Sequence, residues 1–208
     1  MSIDETFDEF ADLARKKSAM LRLNLLGFLI GAMFAGAYVG IGIILIFSVG
    51  QPIDAALRPL VMGASFGIAL TLVVFAGSEL FTGHTMYMTI GYLRRTVALS
   101  ELAKAWTASW IGNLAGSALL AALFVIGGGG YILKPGATMI FDVAAYKMHS
   151  EPAALLARAM LCNWLVCLAV WTAARTHSDT AKCILIFWCL FAFIASGFEH
   201  SVANMTLF

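Results

Sequence analysis

The sequence predicts an all-α protein that crosses a membrane several times and breaks two of its crossing helices at polar stretches. Of its 208 residues, 61% are apolar and 12% charged, a composition that excludes an ordinary soluble domain. Residues 25–49, 105–127 and 153–174 are apolar runs long enough to cross a hydrocarbon core, which takes about 20 helical residues. Residues 76–86 (AGSELFTGHTM) and 195–205 (ASGFEHSVANM) then place glycine, Glu and hydroxyl or imidazole groups where lipid-compatible helix is expected. Irregular backbone at that depth survives only where protein buries it or it lines a cavity. Two such breaks in one chain point to a transport pathway.

Residues 1–208 read as one membrane domain, with 1–22 an amphipathic helix on the cytoplasmic surface and 23–208 the transmembrane region. Ser2 and Glu5 form a capping-box pattern. Ile3, Phe7, Phe10 and Ala14 fall on one face of the helix it starts, with Asp4, Glu5, Asp8, Glu9 and Asp12 elsewhere. That apolar stripe is expected to dock on neighbouring subunits or lipid, gating being the sharper alternative. The acidic opening lacks the apolar core of a cleavable signal, so an uncleaved N-terminus is expected.

In the first span Gly27 and Gly31, then Gly36 and Gly40, each four apart, allow another helix to approach closely. Pro52, Asp54, Arg58 and Pro59 make residues 51–59 a polar turn, after which 60–76 lead through Gly63, Phe66, Gly67 and Leu70 to the first break. A half-helix follows and ends at Arg94 and Arg95. Ser100 with Glu101 is expected to start the third span, and Gly112 and Gly116 give it a close-packing face. Residues 131–151 are too polar to span and read as an external segment; the fourth span follows, and 183–197 lead to the second break. Cys162, Cys167, Cys183 and Cys189 lack the spacing of a zinc or haem motif and read as small buried apolar residues.

With the N-terminus inside, Arg15, Lys16, Lys17, Arg22, Arg94, Arg95, Lys104, Arg175 and Lys182 are cytoplasmic. Only Arg58, Lys134, Lys147 and Arg158 are then external, so this orientation is chosen. The two breaks are then reached from opposite sides and their half-helices face each other. Each presents unpaired N–H groups near the midplane, where the helix dipole favours an anion, although the same construction serves water or a neutral solute. Ser201 is the expected cap of the second half-helix and Thr82 or Thr85 of the first. Glu79, Glu199, His200 and His84 are the ionisable candidates. The two carboxylates are expected to accept bonds from loop N–H groups. His200 is either a proton exchanger or selectivity gate, or a hydrogen-bonded core histidine.

The motifs AGSELFTGH (76–84) and GFEHSVANM (197–205) resemble the paired signatures of the formate/nitrite transporter family, and the likeness runs from the N-terminal helix to Phe208. His84 departs from the asparagine of formate channels and is similar to the nitrite branch, as are GAYVG (36–40) and the NWLVCL run from Asn163. The resemblance implies an aquaporin-like fold of inverted three-helix repeats, assembled as a homopentamer with a pore in each subunit of a bacterial inner membrane. It implies that Thr82 and His200 meet at the pore centre, with Phe66 and Phe193 at the external constriction and Leu70, Leu80 and Val166 at the cytoplasmic one. Lys147, Asn163 and Glu199 match polar positions that attract the anion or support the histidine, and Phe81 matches a loop residue beside the pathway. The family has six spans, whereas Phe208 lies eight residues beyond His200, about 12 Å along a helix. The expectation is therefore a natural chain that continues past the fifth span.

The expected function is passive or proton-linked nitrite transport, without cofactor, metal or nucleic acid. Formate or hydrosulfide conduction, or an aquaporin-like neutral-solute channel, is the alternative. A membrane oxidoreductase would need facing haem-ligating histidines, and His149 and His177 fall in loops.

Overall fold

The computed structural model describes residues 2–208, and its described regular structure is helical. The helices are α1 (Ile3–Leu23), α2 (Leu25–Gly50), α3 (Arg58–Ser65), α4 (Gly67–Ala76), α5 (Phe81–Leu93), α6 (Leu99–Ile126), α7 (Met139–Met148), α8 (Pro152–Ala174), α9 (Asp179–Ala195) and α10 (Ser201–Leu207). Among the described residues four spans are long and apolar enough to cross a membrane: α2, α3 with α4, α6 and α8, one more than the three whole runs read from the sequence. This is a multi-pass membrane protein. The third span starts at Leu99, earlier than residue 105, and the segment 131–151 contains α7, too short at about 15 Å to cross.

Both broken helices end alike. Gly77 (φ 72°) and Gly197 (φ 69°) adopt the left-handed conformation that only glycine enters without strain. The following N–H reaches back five residues in each case, from Ser78 to the Val73 carbonyl and from Phe198 to that of Phe193. The Glu79 N–H then donates to the Gly31 carbonyl, and the Glu199 N–H to that of Arg158. One turn geometry thus serves both breaks and delivers Leu80 and His200 to equivalent positions.

α2 and α6 pack closely through their glycines. A Cβ built on Gly116 overlaps the Met33 carbonyl and stands 2.7 Å from the Met33 Cα, and one on Gly36 overlaps the Asn113 backbone. Backbone on both sides cannot yield as a flexible side chain would. Gly116→Ala is therefore expected to abolish recovery of monodisperse protein on size-exclusion chromatography; wild-type yield would contradict this packing.

Two expectations need correction here. Part of the α1 stripe is taken up by its own chain: Phe10 and Ala14, 2% and 0% exposed, pack with Tyr87, Met88, Val97 and Leu102, while Ile3 stays exposed. Phe7 and Phe10 also meet the Trp171 ring at 5.0 and 5.5 Å. At the start of α6 the cap position is Ala98, not Ser100; the Glu101 carboxylate accepts from the Ala98 N–H at 2.8 Å. The Ser2–Glu5 capping box does form.

Candidate functional site

The two breaks carry matching side-chain clusters. Glu79, 2% exposed, accepts from the Lys17 ammonium on α1 with one oxygen and meets His84 Nε2 at 2.9 Å with the other. Glu199, 4% exposed, accepts from the Lys147 ammonium on α7 and from Asn204 Nδ2 at 3.1 Å. His84 and Asn204 each follow their glutamate by five residues, as the repeated turn requires. Loop N–H groups are therefore not what these carboxylates hold, contrary to expectation. Each binds a lysine from a helix outside the spans, because a buried carboxylate is stable only with a cation or several donors.

The expected caps shift by one position or more. α10 is capped by His200, whose Nδ1 accepts from the Ala203 N–H at 3.0 Å, and Ser201 is already helical. α5 starts after Leu80, which offers no side-chain acceptor; Thr82 and Thr85 lie inside the helix. Asn113 on α6 supplies what Leu80 lacks. Its Oδ1 accepts from the Phe81 N–H at 2.8 Å, while its Nδ2 donates to the Glu79 carbonyl at 2.9 Å and the Ala32 carbonyl at 2.7 Å. Nothing in the sequence reading singled out Asn113. Its signal was a lone amide in an apolar span, between two glycines that bring α2 close.

Phe66, Leu70, Leu80, Val166, Phe193 and His200 come together around one cavity of about 10 Å³, roughly the smallest that holds a water molecule. Phe66 and Phe193 meet edge to face at 5.7 Å, and Phe193 stacks on the His200 ring at 5.7 Å. On one side lies a vestibule of about 200 Å³ that contains Lys147, Glu199, Asn204 and His200. A cleft of about 470 Å³ adjoins on another and contains Phe81, Thr82, Asn163, Glu199 and His200. Among the described residues His200 borders all three spaces. Thr82 and Asn163 thus stand beside the narrow cavity rather than on it. Thr82 Oγ1 and Asn163 Oδ1 are buried without hydrogen-bond partners, whereas Asn163 Nδ2 donates to Thr85 Oγ1 at 3.0 Å.

Because a backbone N–H can only donate, His200 Nδ1 carries the lone pair and the neutral ring bears its proton on Nε2. No described protein group accepts that Nε2–H. The site therefore offers one unspent donor from His200 at a narrow, largely apolar constriction, and an unpartnered hydroxyl nearby.

The formate/nitrite transporter family model matches residues 4–208. The chain belongs to the formate/nitrite transporter family. A nitrite transporter, NirC, of Salmonella typhimurium is 50% identical over 204 residues, covering 98% of this chain and 75% of the relative. NirC of Escherichia coli is 49% identical over the same shares. Among solved structures, an FNT family ion channel superposes with a TM-score of 0.95 at 49% identity, covering 99% of this chain and 82% of the other. A pentameric formate channel with formate bound gives 0.74 at 29%, covering 86% and 72%. Membership of this transporter family replaces the oxidoreductase alternative.

Proposed function

We propose that the chain is a nitrite pore subunit, one of five identical copies in a bacterial inner membrane with its N-terminus in the cytoplasm. The nitrite assignment is supported by the two NirC relatives, whereas a probable formate transporter of Methanothermobacter thermautotrophicus is only 37% identical. The pentameric formate channel supports fivefold assembly, and the excess of Lys and Arg on the N-terminal side supports the orientation.

The observation that carries the reading is His200 at the junction of the three spaces with only its Nε2–H to give. In this mechanism Lys147 concentrates the anion in the vestibule, where Glu199 and Asn204 hold the ammonium in place. Phe66 and Phe193 on the external side, and Leu70, Leu80 and Val166 on the cytoplasmic side, strip its water. His200 Nε2–H and Thr82 Oγ1 then offset the lost hydration, with Phe81 and Asn163 shaping the adjoining wall. An apolar passage this narrow strongly penalises a bare anion, whereas the conjugate acid crosses. A proton on Nδ1 would break the Ala203 bond and oppose two N–H groups, so His200 works as a neutral donor. The proton that turns nitrite into nitrous acid therefore enters from water.

Proteoliposomes test this. Nitrite uptake is expected to quicken as external pH falls, without a nitrite current in electrical recordings over the same pH series. A current that follows the nitrite gradient would overturn proton-linked passage. Formate and hydrosulfide measured alongside test selectivity, and rapid osmotic shrinkage without nitrite uptake would replace the anion reading with a neutral-solute channel.

A further inference from the structure

α1 ends at Leu23, and the backbone of Asn24 (φ −145°, ψ 68°) leaves the helical region before α2 begins. In the resulting angle, between α1, the start of α2 and the first turns of α6, lies an open groove of about 680 Å³. Its two ends differ in chemistry. At one end are Arg22 and Lys104, both exposed and, among the described residues, in no hydrogen bond or ion pair. At the other are Leu25, Leu29 and Ile111. Lys104 and Ile111 are seven residues apart on α6, about 10 Å of helical rise, which is the depth of a headgroup-to-chain boundary. The carboxylate of the groove, Glu101, accepts from Ser18 Oγ at 2.6 Å and the Ala98 N–H at 2.8 Å and lies within electrostatic reach of both cations, without forming an ion pair with either. The lining therefore keeps one net positive charge where the polar helix meets the apolar span.

We propose that this groove binds an anionic phospholipid of the leaflet beside α1. The phosphate sits between Arg22 and Lys104, and one acyl chain runs along Leu25, Leu29 and Ile111. Cations at a helix end beside the bilayer attract anionic headgroups, and basic pockets between spans hold them. A zwitterionic lipid would bring its own ammonium against the same two cations. The argument uses the membrane location of the helices and is independent of which solute the pore carries.

The test is competition for delipidated protein between phosphatidylglycerol and phosphatidylcholine of identical chains, with retained lipid read by native mass spectrometry and stability by thermal melting. Phosphatidylglycerol is expected to be retained preferentially and to raise Tm. The double variant R22Q/K104Q, which breaks no hydrogen bond, is expected to lose that preference by about tenfold to thirtyfold. If the double variant cannot be purified, R22Q and K104Q singly are each expected to lose part of it. Inorganic phosphate alone is expected to leave Tm unchanged. The proposal is overturned by equal retention of the two lipids, by a preference that survives the substitutions, or by stabilisation from inorganic phosphate alone. A density map of the assembly with another subunit's side chains in the groove overturns it as well.

Discussion

His200→Phe is expected to reduce nitrite uptake by roughly tenfold to a hundredfold, because a hydrogen bond to a charged group contributes about 1.5–3 kcal/mol and the substitution removes it where the anion loses water. Phe can keep the stacking on Phe193. It cannot accept the Ala203 N–H, so α10 also loses its cap, at about 1 kcal/mol. His200→Asn separates the two effects: a short amide oxygen caps a helix well, but with that oxygen on the Ala203 N–H the amide donors fall short of the place Nε2–H occupies. The Asn variant is expected to melt near the wild-type temperature and still transport poorly. Proteoliposome uptake and thermal melting of both variants check this. Wild-type rate, selectivity and pH dependence in both would remove His200 from the mechanism.

Asn113→Leu is expected to lower stability sharply through lost hydrogen bonds rather than lost packing. Leu matches Asn in size, so packing changes little, but the Phe81 N–H and the Glu79 carbonyl each lose the Asn113 partner that holds them. Asn113 is fully buried, and each group left unpaired in such surroundings costs about 1–3 kcal/mol. Two of them are comparable with the margin by which many proteins stay folded. The break between α4 and α5 should then open, with Glu79 displaced from Lys17 and His84. A large drop in Tm and poor recovery of assembled protein are the expected readouts. An unchanged Tm in Asn113→Leu would show that the break stands without α6.

Much of this architecture was legible along the chain. The whole spans, the non-spanning segment 131–151 and the two breaks follow from runs of apolar residues and from Gly77 and Gly197, whose positive φ values end α4 and the helix before the second break. The Glu79 and Glu199 positions were recognisable as sites of buried charge, since a carboxylate amid apolar helix demands a partner. Which partner was not legible. Lys17 lies 62 residues from Glu79 and Lys147 lies 52 from Glu199, and the local rule that helix-end carboxylates bind loop N–H groups pointed elsewhere. Cap propensities misled for a related reason. Ser201 and Thr82 are better capping types than His200 and Leu80, but the left-handed glycine turn sets where each half-helix starts.

By itself the sequence determined that this is a membrane protein, where three whole spans lie, and where two further helices break. Those properties depend on the transfer of each residue from water to hydrocarbon, which adds up along the chain. The tertiary structure decided that α1 covers its own chain, that Asn113 ties down the first break, and that His200 is left with a single donor beside the narrow cavity. The first two depend on groups far apart in sequence coming into contact, α1 through apolar side chains of α5 and α6 and Asn113 through bonds of about 3 Å to Phe81 and Glu79. The third depends on the turn at Gly197, which commits His200 Nδ1 to the Ala203 N–H.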